Sequence, residues 1–237
     1  MTDRLYFRQL LAGRDFATAD RNARQMVNFV YLVGDRESGE AVVIDPAWGV
    51  KDLVDIVHSD GMKLVGALAT HYHADHVGGS IMGINVDGIA NLLTIADIPI
   101  HVQAAEVPWL TRTTGVTADH IIEHESGDTV TVGEIPIQLI HTPGHTPGSQ
   151  CFFVDNCLLA GDTLFLDGCG RTDLPGSDPA AMYDSLNNRL AYIPDSATLF
   201  PGHLYSPHGS QDMGTTREYN YVFSPKSAAQ WMAMFGG

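Results

Sequence analysis

The stretch Thr70-His71-Tyr72-His73-Ala74-Asp75-His76 decides how this chain is read. Three imidazoles and one carboxylate fall within six residues. They follow the apolar run Leu64-Val65-Gly66-Ala67-Leu68-Ala69, which reads as a buried strand. Packing gives no reason to crowd ionisable rings at the end of a strand. A divalent metal does, because imidazole and carboxylate are natural donors for it.

Three further segments repeat the arrangement. His141-Thr142-Pro143-Gly144-His145-Thr146-Pro147-Gly148-Ser149 follows a strand at residues 135–140, and its two Pro-Gly pairs stiffen the loop around His145. Leu159-Ala160-Gly161-Asp162-Thr163 is an apolar strand ending in a lone carboxylate. Leu199-Phe200-Pro201-Gly202-His203 is a strand ending in an imidazole. Taken singly, His203 is an ordinary loop histidine and Asp162 a turn residue. Beside the first cluster they become ligand candidates, because open α/β sheets place their sites at the carboxyl ends of strands. His141 is expected behind the ligands, and His58, His101, His120, His124 and His208 on the surface or in support.

The flanking pattern alternates strands and helices. Residues 27–33 and 41–44 read as a hairpin that opens the domain, with helical spacing at 50–59 and Gly61 as its stop. Residues 89–95 and 104–111 read as helical, and 98–102 as a short strand. Strands return at 130–132 and 135–140, and at 151–154 and 157–160 around the turn Asp155-Asn156. A helix at 179–191 starts from Ser177 or Asp178 with Pro179 in its first turn, and a last strand spans 197–200. Two blocks of strands with helices between them predict two packed sheets with helices on their outer faces. Within residues 77–127, the segments 85–93 and 109–116 are expected to include a loop over the metals. Trp109 is read as a packed core aromatic, or else as a substrate wall.

The 237 residues fit one domain, 44% of them hydrophobic. A net charge of −15 argues against nucleic acid or an anionic membrane as partner. Cys151, Cys157 and Cys169 form no C-x-x-C pair, so neither a disulfide framework nor a zinc knuckle is expected. With no long apolar run and no apolar leader, the expected location is the cytoplasm.

Together, His-x-His-x-Asp-His at 71–76, Thr-Pro-Gly-His-Thr-Pro-Gly-Ser at 142–149, Gly-Asp-Thr at 161–163 and Pro-Gly-His at 201–203 resemble the metallo-β-lactamase superfamily. The resemblance covers roughly residues 26–205 and leaves 206–237 as a short C-terminal extension. It implies an α/β fold, the four-layer αβ/βα sandwich of two mixed β-sheets with outer helices. It also implies two divalent metal ions, with zinc first and iron or manganese as alternatives. His71, His73 and His145 would hold one, Asp75, His76 and His203 the other, and Asp162 both.

The segment from Asp162 to Asp173 is similar to two branches, glyoxalase II and the persulfide dioxygenases. The first implies hydrolysis of a hydroxyacyl thioester by a metal-bridging hydroxide that Asp75 orients. The second implies one iron on His71, His145 and Asp162. A small thioester or thiol-derived molecule is the expected partner. Arg171 is a candidate clamp for a substrate carboxylate, with a structural ion pair as its plain alternative. Tyr205, after Gly202-His203, resembles the glyoxalase II tyrosine that contacts the thiol carrier, and Asn220, Tyr221 and Lys226 are further pocket candidates. Arg171 and Asp173 depart from the glyoxalase II pattern, and that family's C-terminal helical domain has no room after residue 205. A non-catalytic metal-binding protein is the third reading, disfavoured because all seven ligand candidates are present.

Overall fold

The computed structural model describes residues 2–235. In chain order the first half supplies β1 (Leu5–Leu11), β2 (Phe29–Asp35), β3 (Glu40–Ile44) and β4 (Lys63–Leu68). A small separate hairpin, β5 (Gly79–Ile81) and β6 (Ile84–Val86), comes next, followed by β7 (Ile100–Gln103) and β8 (Ile121–His124). The second half supplies β9 (Thr129–Val132), β10 (Ile135–His141), β11 (Gln150–Val154), β12 (Cys157–Gly161), β13 (Thr198–Pro201) and β14 (Gln211–Asp212). Two six-stranded sheets result, ordered β1-β2-β3-β4-β7-β8 and β14-β13-β12-β11-β10-β9. Both are mixed: β3, β4, β7 and β8 run parallel, as do β12 and β13.

Strand alternation builds the layers, because successive side chains leave a strand on opposite faces. Val30, Leu32, Ala41 and Val43 face an outer core shared with Val50, Leu53 and Val57 of helix α2 (Val50–Ser59), which follows α1 (Arg21–Met26). Tyr31, Val33, Val42 and Ile44 face the other way and meet Ile137, Leu139, Phe152 and Leu159 between the sheets. Leu158, Ala160 and Leu199 leave the second sheet outward. They pack against Met182, Leu186 and Trp231 from residues 179–235. Three cores separate four layers, as the resemblance implied.

Four short or medium helices complete the middle of the chain and its last quarter: α3 (Ala74–Val77), α4 (Ile89–Leu92), α5 (Val107–Thr114) and α6 (Pro179–Asp184), the last capped by Asp178. They are followed by α7 (Met213–Tyr219) and α8 (Ala228–Phe235). The predicted turn at Asp155 and Asn156 has both residues in the left-handed region, as a tight hairpin requires. The fold starts earlier than the hairpin at residue 27. β1 pairs with β2 along seven residues, from Leu5↔Asp35 to Leu11↔Phe29, and opens the first sheet. Residues 206–235 are likewise integral, since β14 extends the second sheet and Trp231 is fully buried.

Candidate metal centre

Parallel pairing brings the carboxyl ends of β3 and β4, and of β12 and β13, to one edge of the sandwich. The sheets are stitched together there: Phe29 N donates to Gly202 O at 2.8 Å, and Gln150 N to Thr70 O at 2.9 Å. The cluster His71–His76 therefore meets His145, Asp162 and His203 at this edge. His71 Nε2, His73 Nδ1 and His145 Nε2 form one group, with separations of 3.1 Å (His71 to His73) and 3.0 Å (His73 to His145). Asp75, His76 and His203 form a second, with His76 Nε2 3.1 Å from His203 Nε2 and Asp75 Oδ2 3.4 Å from His203 Nε2. Donors on a tetrahedral zinc sit about 3.3 Å apart, given bonds of about 2.0–2.1 Å. Both groups match that spacing.

Asp162 lies between the groups. Its Oδ2 is 3.7 Å from His145 Nε2 and 3.4 Å from His203 Nε2. Its Oδ1 is buried 3.4 Å from His76 Nε2 and, among the described residues, makes no hydrogen bond. A buried carboxylate oxygen left without a hydrogen bond is costly, and a cation would satisfy it. The donor set therefore fits divalent metal. Gly202 permits the close approach, since a Cβ there would collide with Asp162 Oδ1 and the His76 ring.

Behind the donors, the remaining ring nitrogens are held by oxygen. His76 Nδ1 reaches Asp45 Oδ2 at 2.9 Å, His145 Nδ1 reaches Arg171 O at 2.8 Å, and His203 Nδ1 reaches Met26 O at 2.8 Å. His71 Nδ1 contacts Thr70 Oγ1 at 3.0 Å, and that hydroxyl donates to Asp45 Oδ2 at 2.6 Å. Such contacts orient imidazole and leave Nε2 free for a metal. Burial sets the charges. It pushes the His71 pKa well below the ordinary value, and takes His73, beside His145, down to about 4. Burial also disfavours charge on His76 and Asp162, but here the opposite charges win. Asp162 and Asp75 raise His76 well above the ordinary value, while His203 and His76 hold Asp162 well below the usual carboxylate range.

Three supporting residues went unread in the sequence. Asp45, at the end of β3 with a left-handed backbone, serves both His76 and Thr70. Glu106 is buried. It accepts from Tyr72 N at 2.7 Å, Gly148 N at 2.7 Å and Thr146 Oγ1 at 2.8 Å, clamping the His71–His73 loop to the His145 loop. Asn28 points its Nδ2 at Asp75 Oδ2, 3.1 Å away, and at His76 Nε2, 3.3 Å away. The amide orientation is fixed by Trp48 Nε1, which donates to Asn28 Oδ1 at 3.0 Å.

The centre opens into a cavity of about 580 Å³ lined by five of the seven candidate donors, while His71 and His76 lie behind them. Arg171 and Tyr205 both line it. Arg171 is also paired with Asp173 through two bonds, at 2.9 and 2.8 Å, so the ion-pair alternative holds alongside the position at the cavity. The Tyr205 ring stacks on His203 at 4.6 Å with the planes 5° apart. Tyr221 lines the cavity as well, but Asn220 and Lys226 do not. Asn220 is buried and binds Gly168 and Phe165. Of residues 77–127, Ile81 and Met82 line the cavity, and none of 85–93 or 109–116 does so among the described residues. Trp109 stacks on Tyr72 at 5.1 Å, outside the cavity. His141 stands behind the ligands, its Nε2 on Pro147 O at 2.9 Å. Among the described residues, no helix is long and apolar enough to cross a membrane.

The chain is similar to several known proteins. The chain is 30% identical over 196 residues to a probable polyketide biosynthesis zinc-dependent hydrolase, BaeB, of Bacillus velezensis, covering 83% of this chain and 81% of that one. It is 32% identical over 212 residues to the human mitochondrial persulfide dioxygenase ETHE1, covering 85% and 75%. A hydroxyacylglutathione hydrolase of Rhodopseudomonas palustris is 35% identical over 181 residues, 76% of this chain and 63% of that protein. The crystal structure of ETHE1 from Myxococcus xanthus superposes with a TM-score of 0.78 at 26% identity, covering 98% of this chain and 90% of that one. The metallo-beta-lactamase superfamily profile matches residues 24–203, a span that runs from α1 to His203. With the four-layer sandwich and seven converging donors at its sheet edge, this chain belongs to the metallo-beta-lactamase superfamily.

Proposed function

We propose that this protein is a metal-dependent hydrolase of small thioesters, with two divalent cations, zinc in the simplest case, held at unequal strength. The observation that carries the reading is Asp162, set between two donor triads, with a buried Oδ1 that makes no hydrogen bond among the described residues and lies 3.4 Å from His76 Nε2. His71, His73 and His145 would hold the first cation, Asp75, His76 and His203 the second, and Asp162 both. Bound there, such cations bring water into nucleophilic form near neutral pH and polarise a carbonyl.

The chain's own groups supply the rest. Asp75 lines the cavity, and although burial opposes its charge, His76 and His203 keep it ionised at neutral pH. It can therefore accept a hydrogen bond from water and aim it at the substrate. Phe165 and Tyr205 line the cavity with their rings in contact and give the centre an aromatic wall. Tyr205 presents a ring face and a hydroxyl to the thiol carrier, and Arg171 retains donors beyond those spent on Asp173. The leaving thiolate has a pKa of about 8.5, so its departure needs no dedicated acid.

A second reading, a one-iron persulfide dioxygenase using His71, His145 and Asp162, is favoured by Asn28. Its amide hydrogens point at Asp75 and His76, where they compete with a second cation. The test is metal content combined with two assays. Two metals per chain and acyl-thioester cleavage without oxygen uptake support the hydrolase. One iron per chain and oxygen consumption with a persulfide support the dioxygenase.

A further inference from the structure

Beside the metal cavity lies a smaller groove of about 160 Å³. The two share Met26, Ile81 and Met82 as a common wall. The groove is otherwise bounded by Trp48 and Ile84, with Asn22 and Gln25 of α1 at its rim, and among the described residues no charged side chain lines it. Its floor is tied to the metal centre. Trp48 spends its one polar atom on Asn28, and the other end of that amide touches Asp75. The Trp48 ring is thus left as an apolar surface. The Met26 carbonyl accepts from His203, so the backbone that carries this wall residue is anchored to a candidate ligand.

Met82 is the movable part of the wall. It sits at the tip of the β5–β6 hairpin, where Met82 and Gly83 both have left-handed backbone. Asn or Asp ordinarily takes the first position of such a turn. Here the position carries a long apolar side chain that is 96% exposed. Methionine is unbranched and adapts to irregular apolar shapes.

We propose that the metal cavity continues between Met26 and Met82 into this groove, and that the groove takes the unbranched apolar acyl chain of the substrate. The occupant is apolar because, among the described residues, the groove offers no side chain of opposite charge to a charged group. This inference rests on the thioester reading and deepens it by naming the acyl group.

The experiment is a chain-length series on the metal-loaded protein. Straight-chain acyl thioesters of N-acetylcysteamine, from two to eight carbons, are compared with an eight-carbon acyl chain ending in carboxylate. The wild type should gain about fourfold in kcat/KM per methylene until the groove is filled. The carboxylate-ended chain should fall back to the short-chain rate. Ile84→Glu, which charges the groove, and Gln25→Trp, which plugs its rim from the surface, should each collapse the eight-to-two-carbon ratio toward one. A flat wild-type series overturns the proposal, as does a ratio that both variants leave intact. If no thioester is cleaved, the hydrolase reading fails, and binding of straight-chain alkyl thiols by calorimetry decides the groove on its own. Affinity that rises with length and is lost in both variants upholds it, and flat affinity overturns it. Concentration-dependent dimerisation abolished by Met82→Gly, with a flat series, would assign the hairpin to a second copy of the chain and overturn the acyl reading.

Discussion

The Asn28 amide nitrogen lies 3.1 Å from Asp75 Oδ2 and 3.3 Å from His76 Nε2, two members of the second donor triad. Its hydrogens carry partial positive charge into the space a second cation would fill. The Trp48 indole prevents the amide from turning over without losing a bond. The two halves of the centre are therefore unequal: three imidazoles face one, while an amide donor already occupies part of the other.

Replacing Asn28 with Ala should strengthen binding of the second zinc equivalent by about tenfold or more, the scale of one hydrogen bond to a charged group. The first equivalent should keep its affinity. Calorimetric zinc titration of the chelator-stripped protein reads both. Equal changes in both equivalents would contradict the inequality.

Asp45 aligns His76 from behind, at 2.9 Å. Asp45→Asn should lower affinity at the second site by about 10–100-fold, the usual loss when such a partner is removed. It also weakens the contact to Thr70, which supports His71, so a smaller loss at the first site is expected. Competition with a chromophoric chelator measures the two steps.

Glu106 couples pH to stability. Burial raises its pKa from the ordinary 4.5 to about 7, against the bonds from Thr146, Tyr72 and Gly148. A carboxyl whose folded pKa exceeds its unfolded value favours folding fully below about 4.5. That contribution is lost as pH rises toward 7, here by roughly 3 kcal/mol in all. Urea unfolding of metal-free wild type and Glu106→Gln across pH 4.5–8 isolates it. The wild type should lose stability relative to the variant up to about pH 7 and run parallel above. Parallel curves throughout would contradict the assignment.

Asp75→Ala should abolish thioester hydrolysis, by about 100-fold or more in kcat, while the circular dichroism spectrum stays unchanged. An unaffected rate would remove Asp75 from the role given to it.

The seven candidate donors were legible because each follows an apolar strand and four of them share one short motif. The four layers were legible from alternation within strands such as β2 and β3. Asn28, Asp45 and Glu106 were not, because their partners lie far along the chain: Asn28 meets Asp75 across 47 residues and Glu106 meets Gly148 across 42. An isolated Asn, an Asp before Pro46, and a Glu before Val107-Pro108 carry no spacing that marks them. β1 escaped because Phe7-Arg8-Gln9 interrupts its apolar pattern, although its ends, Leu5, Tyr6, Leu10 and Leu11, are buried. The stretch of 77–127 that meets the cavity was misplaced because Ile81 and Met82 look like ordinary hairpin residues until the tip is seen beside the cavity.

The most direct test is metal stoichiometry read together with turnover on one preparation. Purified protein is loaded with zinc or with iron, its metal content per chain is measured, and acyl-thioester cleavage and persulfide-dependent oxygen uptake are followed side by side. Two zinc ions per chain, the second more weakly held, with thioester cleavage and no oxygen uptake, is the predicted result. One iron per chain with oxygen consumed on persulfide and no thioester cleavage would contradict it.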